Sequence, residues 1–146
     1  MRQIHSHNAY GTHALKITAN PPQFRGMPSH QYLIEGFDTT ENSAVRSGGY
    51  VPRFRNLSIV FETDQSNPDR PDGVSMDAVL AILCDHLNGI QSGPNASQGK
   101  QMALEYIESA RQLLIEDAQV MQHDNMSRFN NTRSSGEIRY AQTGTL

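Results

Sequence analysis

Two stretches of this chain gather residue types suited to holding an anion. In SGPNASQGKQ, residues 92–101, Gly93, Gly99 and Lys100 stand ahead of an apolar-periodic run, much as in a phosphate-binding loop. That loop needs four residues between its outer glycines and a Ser or Thr after the Lys, which places backbone N–H groups on phosphate and a hydroxyl on magnesium. Here five residues intervene, and Gln101 follows Lys100. The stretch also follows a helical pattern, whereas a phosphate loop follows a buried strand. The motif is therefore excluded. A plainer anion site remains: the N–H groups of Ser97, Gln98 and Gly99 at a helix start lack intrahelical acceptors, Gly99 permits close approach, and Lys100 adds charge. The same residues also suit a tight polar turn between two helices with no ligand.

The second stretch, RSGGYVPRFR, residues 46–55, concentrates Arg46, Arg53 and Arg55 with Tyr50 and Phe54. Arginines beside aromatics suit the phosphates and bases of a nucleotide. The alternation Arg53, Phe54, Arg55 is equally that of an edge strand with one solvated face. Other clusters carry less. His5, His7 and His13 have neither Cys nor a strong acid nearby, so no metal site is expected. Asp64, Asp69 and Asp72 lack the placed glycine and closing Glu of a calcium loop. No nucleophile elbow is present. His86 is expected at the polar edge of a helix, and Tyr106 and Arg111 in packing or intersubunit pairing. Nothing argues for catalysis or for a cofactor.

These residues need elements to position them. HALKITA (residues 13–19), HQYLIEGF (30–37) and NLSIVFE (56–62) alternate or carry β-branched and aromatic residues, which predicts a small antiparallel sheet. Prolines and glycines break the chain between them, and residues 64–73 form a polar, proline-interrupted loop. The period then changes. Val79, Leu80, Leu83, Leu87 and Ile90 recur at three and four, with Ser75 as N-cap and Asp77 in the first turn, predicting a helix over 76–91. Gly93 and Pro94 stop it and Ser97 caps a second helix, whose stripe of Ala103, Ile107, Ala110, Leu114, Ala118 and Met121 carries it to about Gln122. The expected class is α+β: a sheet region over 1–71, an antiparallel helical hairpin over 72–122, and a polar tail over 123–146 that is loosely ordered or an arm on a neighbour.

Composition sets limits. A formal net charge of −3 argues against a broad patch for nucleic-acid polymers or membranes. Cys84 is alone, so a disulfide framework or cysteine zinc site is excluded, and it serves as core filler. No apolar run approaches the roughly twenty residues that span a bilayer, and the first ten residues lack a signal-peptide centre, so a soluble intracellular protein is expected. Apolar content is 36% with no Trp, so buried area per residue is low and other subunits are expected to complete the apolar surface.

The segment DGVSMDAVLAILCDHLNGIQSGPNASQGKQMALEYIESARQLL, residues 72–114, resembles the helical hairpin of phage anti-defence sponges, the type one Thoeris anti-defence family, whose hairpin is shared with an anti-CBASS family. Gly73, Val74 and Ser75 match the opening turn, and Asp77 through Ile82 match the acidic, Ala, apolar, Leu, Ala, Ile start of the first helix. Asp85, His86 and Leu87 match an Asp, a basic residue and Leu. Ile90, Gln91, Ser92, Gly93 and Pro94 match the turn, and Ala103, Leu104, Ile107 and Glu108 the second helix. The resemblance implies a binding protein, not an enzyme. It would sequester a cyclic nucleotide immune messenger in the cytoplasm of the host bacterium, a cyclic ADP-ribose isomer before a cyclic oligonucleotide, as a homo-oligomer; related proteins are often hexamers. Ligand contacts are then expected around Ile90, Gln91, Gly93, Asn95, Ser97, Gly99 and Lys100, with Arg46, Arg53 and Arg55 as phosphate partners on the sheet. The chain departs from the family at Ile90 and Asn95, where Phe is common, and at Lys100, where Asn is common. Loss of an aromatic removes a base-stacking surface of about one to three kcal/mol; Lys adds a cation. The alternative from a different class is an oligomeric protein-interaction module with no small-molecule ligand.

Overall fold

The computed structural model describes residues 1–6, 14–47, 53–63, 67 and 69–141, with 132–141 described by backbone alone. It divides into two compact units, Met1–Ser75 and Met76–Leu146. The first holds a four-stranded antiparallel sheet and the second two helices, so the chain is α+β. Of the residues singled out above, His7, His13, Tyr50 and Asp64 lie outside the described residues.

Strands β1 (Arg2–Ile4), β2 (Lys16–Ala19), β3 (Gln31–Glu35) and β4 (Asn56–Val60) pair in chain order. Their register sorts the side chains by face, because residues directly opposite share one side of an antiparallel sheet. Ile4 lies opposite Ile17, Ile17 opposite Ile34 and Ile34 opposite Leu57; Ala19 lies opposite Tyr32 and Tyr32 opposite Ile59. One face is therefore apolar apart from Arg2, which lies opposite Ala19. The other carries Gln3, Lys16, Thr18, Gln31, Glu35, Asn56 and Ser58, with Leu33 and Val60 among them. On the apolar side Tyr32 meets Phe61 edge to face, with ring centroids 5.8 Å apart.

Each predicted strand is present, trimmed at its ends, but β1 was not expected. Three residues are too few to show alternation; the pairing with β2 fixes β1 and gives Ile4 its place. β3 ends at Gly36, whose φ of 92° and near approach to Ala14 admit no side chain: a Cβ would lie 1.8 Å from the Ala14 carbonyl oxygen. The single-turn helix α1 (Ser43–Arg46) was likewise unforeseen. Asn42 caps it, its Oδ1 accepting from the N–H groups of Ala44 and Val45 at 3.0 and 3.3 Å.

The first unit also reaches further than the sequence places it, to Ser75 instead of residue 71. Val74 forms a parallel bridge with Phe61, donating to the Val60 carbonyl at 2.8 Å and accepting from the Glu62 N–H at 3.1 Å. Gly73 makes that approach feasible, since a Cβ there would come within 2.6 Å of Val60 and Glu62 backbone atoms. The Thr63 N–H and hydroxyl both donate to the Asp72 carboxylate, which closes the polar loop.

Helix α2 (Met76–Gln91) has the predicted bounds, with Asp77 in its first turn where the dipole favours an acid. After six connecting residues α3 (Gln98–Ala141) begins, and it packs on α2. Cys84 and Leu104 are the buried apolar residues described in this unit. Ala103, Ile107, Arg111, Leu114, Ile115 and Ala118 are half-buried beside them, whereas Ala110 and Met121 of the expected stripe are exposed. Arg111 thus occupies the packing face, its Nε buried without a hydrogen bond.

The largest correction concerns residues 123–141. The chain does not leave the helix near Gln122 for a loosely ordered tail; α3 continues to Ala141. The apolar period lapses near Gln122, yet period reports burial, and the exposed residues 123–131 continue the helix without one. No proline follows Pro94 to stop it. Among the described residues, no helix is apolar enough to cross a membrane, and no group of three or more His, Cys, Asp or Glu is placed to hold a metal ion.

Candidate functional site

The end of α2 and the turn after it enclose an open cleft of about 360 Å³, lined by Asp85, His86, Gly89, Ile90, Gly93, Pro94 and Asn95. The hollow has a simple origin. Residues four apart lie on one helix face, so Asp85 and His86 stand one turn from Gly89 and Ile90, with Gly93 next in line. Gly89 contributes no side chain to that face, and a Cβ built there would meet nothing within 4 Å. The volume lies within the range of about 300–1,000 Å³ usual for small-molecule sites.

Backbone and side-chain bonds hold the turn in shape. Ser92 donates to the Asn88 carbonyl from both its N–H and its hydroxyl, at 3.1 and 2.9 Å, and the Gly93 N–H reaches Ile90 O at 3.1 Å. The Gln91 amide then bridges the turn to α3. Its Oε1 accepts from the Ser97 N–H at 3.0 Å, while Nε2 donates to the Ser97 carbonyl at 3.0 Å and to Gln101 Oε1 at 3.3 Å. Ser97 caps α3 as predicted, its hydroxyl accepting from the Lys100 N–H at 3.2 Å. The Lys100 ammonium donates back to the Asn95 carbonyl at 2.8 Å.

One expectation is corrected by this geometry: the Ser97 N–H is not free for an anion, because Gln91 already occupies it. Of the residues expected around a ligand, Ile90, Gly93 and Asn95 line the cleft together. Gln91, Ser97 and Lys100 brace the turn behind it, and Gly99 has open space about its Cα. Asp85, His86, Gly89 and Pro94 complete the lining without having been singled out as ligand contacts. The signal was available in the spacing of Asp85, Gly89 and Gly93.

No protein-family model matches the chain, and no curated protein matches it.

The arginines belong to the other unit, where each of two has an acid partner. Arg46 Nη1 lies 3.0 Å from Glu41 Oε2, and Arg55 Nε 3.4 Å from Asp38 Oδ2. Asp38 also accepts from the Thr40 hydroxyl at 2.5 Å and the Thr40 N–H at 2.9 Å. The hydroxyl bond is the main reason its carboxyl titrates below the usual aspartate range, followed by the Thr40 N–H and the positive charges of Arg55 and Arg53. Thr39 and Phe54 exchange bonds across the same connection, Thr39 N–H to Phe54 O at 3.1 Å and Phe54 N–H to Thr39 Oγ1 at 3.0 Å. The cluster thus joins the residues that follow β3 to those that precede β4, through ion pairs that are exposed and screened by solvent.

A larger hollow of about 590 Å³ runs along α3 and is lined by Glu105, Glu108, Ser109, Gln112, Leu113 and Glu116. Its three glutamates repel a phosphate more strongly than the single Asp85 of the smaller cleft, which is the better ligand site.

The bridging role of Gln91 can be measured. Gln91→Ala removes its hydrogen bonds to Ser97 and Gln101 at a half-buried position, and the expected loss is about 1–2 kcal/mol, read as a lower midpoint in urea denaturation followed by the helical signal. A midpoint equal to the parent's would show that the turn holds without it.

Proposed function

We propose that this chain is a non-enzymatic sponge that binds a cyclic nucleotide immune messenger and releases it unaltered. The ligand favoured is a cyclic ADP-ribose isomer, with a cyclic oligonucleotide next. The observation that carries the proposal is the cleft at the end of α2, because Ile90, Gly93 and Asn95 meet there at the turn where the sponge resemblance implies ligand contact. In this proposal α2 and α3 form the antiparallel hairpin of that family, and copies associate in the host bacterial cytoplasm. The small number of buried apolar residues, Ala19, Cys84 and Leu104 among those described, supports association, since further burial then comes from neighbouring copies.

The test is to incubate the purified chain with cyclic ADP-ribose isomers and cyclic di- and trinucleotides, filter, denature the retained protein and identify what it releases by mass spectrometry. One intact species is expected, and recovery of a hydrolysed product would defeat the proposal. Gly89→Leu links the result to the cleft: the new side chain meets no neighbour at its Cβ but fills the hollow. Retention of ligand is expected to weaken more than about tenfold, a change of about 1.4 kcal/mol, with the helical signal intact. Undiminished retention would place the ligand elsewhere.

A second reading has its own observation. Met102, Tyr106, Leu113 and Val120 on α3 are all exposed, from 45% to 69%. At 100° per residue they fall within about 40° of one another, a single apolar stripe. Such a stripe suits a protein-interaction module with no small-molecule ligand, and recovery of an empty filter with a stoichiometric protein partner would favour it.

A further inference from the structure

We infer that His86 is the cation through which the cleft meets the phosphate of its ligand, so that capture follows the protonation of one imidazole. This rests on the sponge proposal for the ligand class. Asp85 and His86 are the ionisable residues of the cleft lining; no Lys or Arg is among them. α2 contains no Lys or Arg at all. The element packed against it, α3, supplies no lining residue, and the cation at its start, Lys100, has its ammonium on the Asn95 carbonyl at 2.8 Å.

Asp85 contributes −1, so the cleft carries −1 when the imidazole is neutral and 0 when it is protonated. The cleft also adjoins the C-terminal end of α2, where the helix dipole places partial negative charge and favours a cation over an anion. An anionic ligand entering beside a neutral His86 meets only repulsion from these two sources. Beside an imidazolium it gains a charge-assisted hydrogen bond, and Gly89, one turn on, leaves the space in which that bond can form. Histidine is the side chain that changes charge in the physiological pH range. By linkage, an anion that prefers the protonated form binds more tightly as pH falls, by at most tenfold per pH unit for one proton.

The experiment is calorimetric titration of the full chain with cyclic ADP-ribose and with cyclic tri-AMP at about pH 5.5 and about pH 7.5, either side of the histidine range. The parent protein is expected to bind about tenfold more tightly at the lower pH. His86→Arg should bind with the tighter affinity at both, and His86→Gln weakly at both. His86 is exposed, so both variants are expected to keep the helical circular dichroism of the parent. Inorganic tripolyphosphate is the second probe, read by the amide signals of Gly89, Gly93 and Asn95, which should move more at the lower pH in the parent and not in His86→Gln. If cyclic nucleotides bind but the pH dependence survives in His86→Gln, or His86→Arg gains nothing at the higher pH, the inference is overturned and the sponge proposal stands. If tripolyphosphate shows the His86-dependent response and no cyclic nucleotide binds, the anion role stands and the sponge proposal is lost. If none of the probes binds, both fall.

Discussion

Gly36→Ala is expected to unfold the sheet unit while leaving the helical signal in place. Two penalties coincide at this residue. Its φ of 92° lies where a Cβ crowds the backbone, at a cost of about 1–2 kcal/mol for an L residue. The added Cβ would also sit 1.8 Å from the Ala14 carbonyl oxygen. That oxygen belongs to backbone, so no rotamer change relieves the overlap; the chain entering β2 has to move away from the end of β3, where Lys16 lies opposite Glu35. The sum is expected to exceed about 3 kcal/mol, a large share of the stability of a small domain. Loss of the NMR contacts between the Tyr32 and Phe61 rings, with unchanged helical circular dichroism, would report it. A variant with the parent's ring contacts and melting temperature would show that the β3 exit can relax at little cost.

Leu104→Ala is the counterpart for the helices. Leu104 is 5% exposed and shares with Cys84 the buried position between α2 and α3. Truncating a buried leucine costs about 2–5 kcal/mol through lost transfer energy and the cavity left behind. With so few buried residues there is little else to hold the helices, so a loss of about 3 kcal/mol is expected to lower the melting temperature by about 12–24 °C. Ile82→Ala is the control: Ile82 is 70% exposed, and its truncation should fall within about 0.5 kcal/mol of neutral. Equal effects at the two positions would mean that Ile82 is buried in the working protein, as it would be against a second copy.

Much of the fold was legible in the sequence because burial leaves a period. Alternation marked β2, β3 and β4, and the recurrence of Val79, Leu80, Leu83, Leu87 and Ile90, with Asp77 in the first turn, marked α2 at its observed bounds. The elements that escaped are those without such a pattern. β1 is too short to alternate and depends on its partner, α1 is one capped turn, and residues 119–131 of α3, all exposed, have no buried face to announce them. The site divides in the same way. Residue chemistry along the chain points to Lys100, Arg46 and Arg55, whose charges the structure commits to Asn95, Glu41 and Asp38. The cleft instead follows from a missing side chain, at Gly89, and from His86 one turn before it. An absence of atoms becomes a feature only once the helix has placed its neighbours around it.

The length of α3 bears on how it comes apart. Every described side chain over residues 119–131 is exposed, so that stretch is not held by packing on α2 and extends from the turns before it, which already hold the costly helix nucleus. One unbroken helix therefore spans two kinetic regimes. Around Leu104, opening requires parting α3 from α2; beyond Ala118 the chain can fray turn by turn from its far end. Amide hydrogen exchange would run as a gradient along a single element, slow where the helices are packed and quick toward the end.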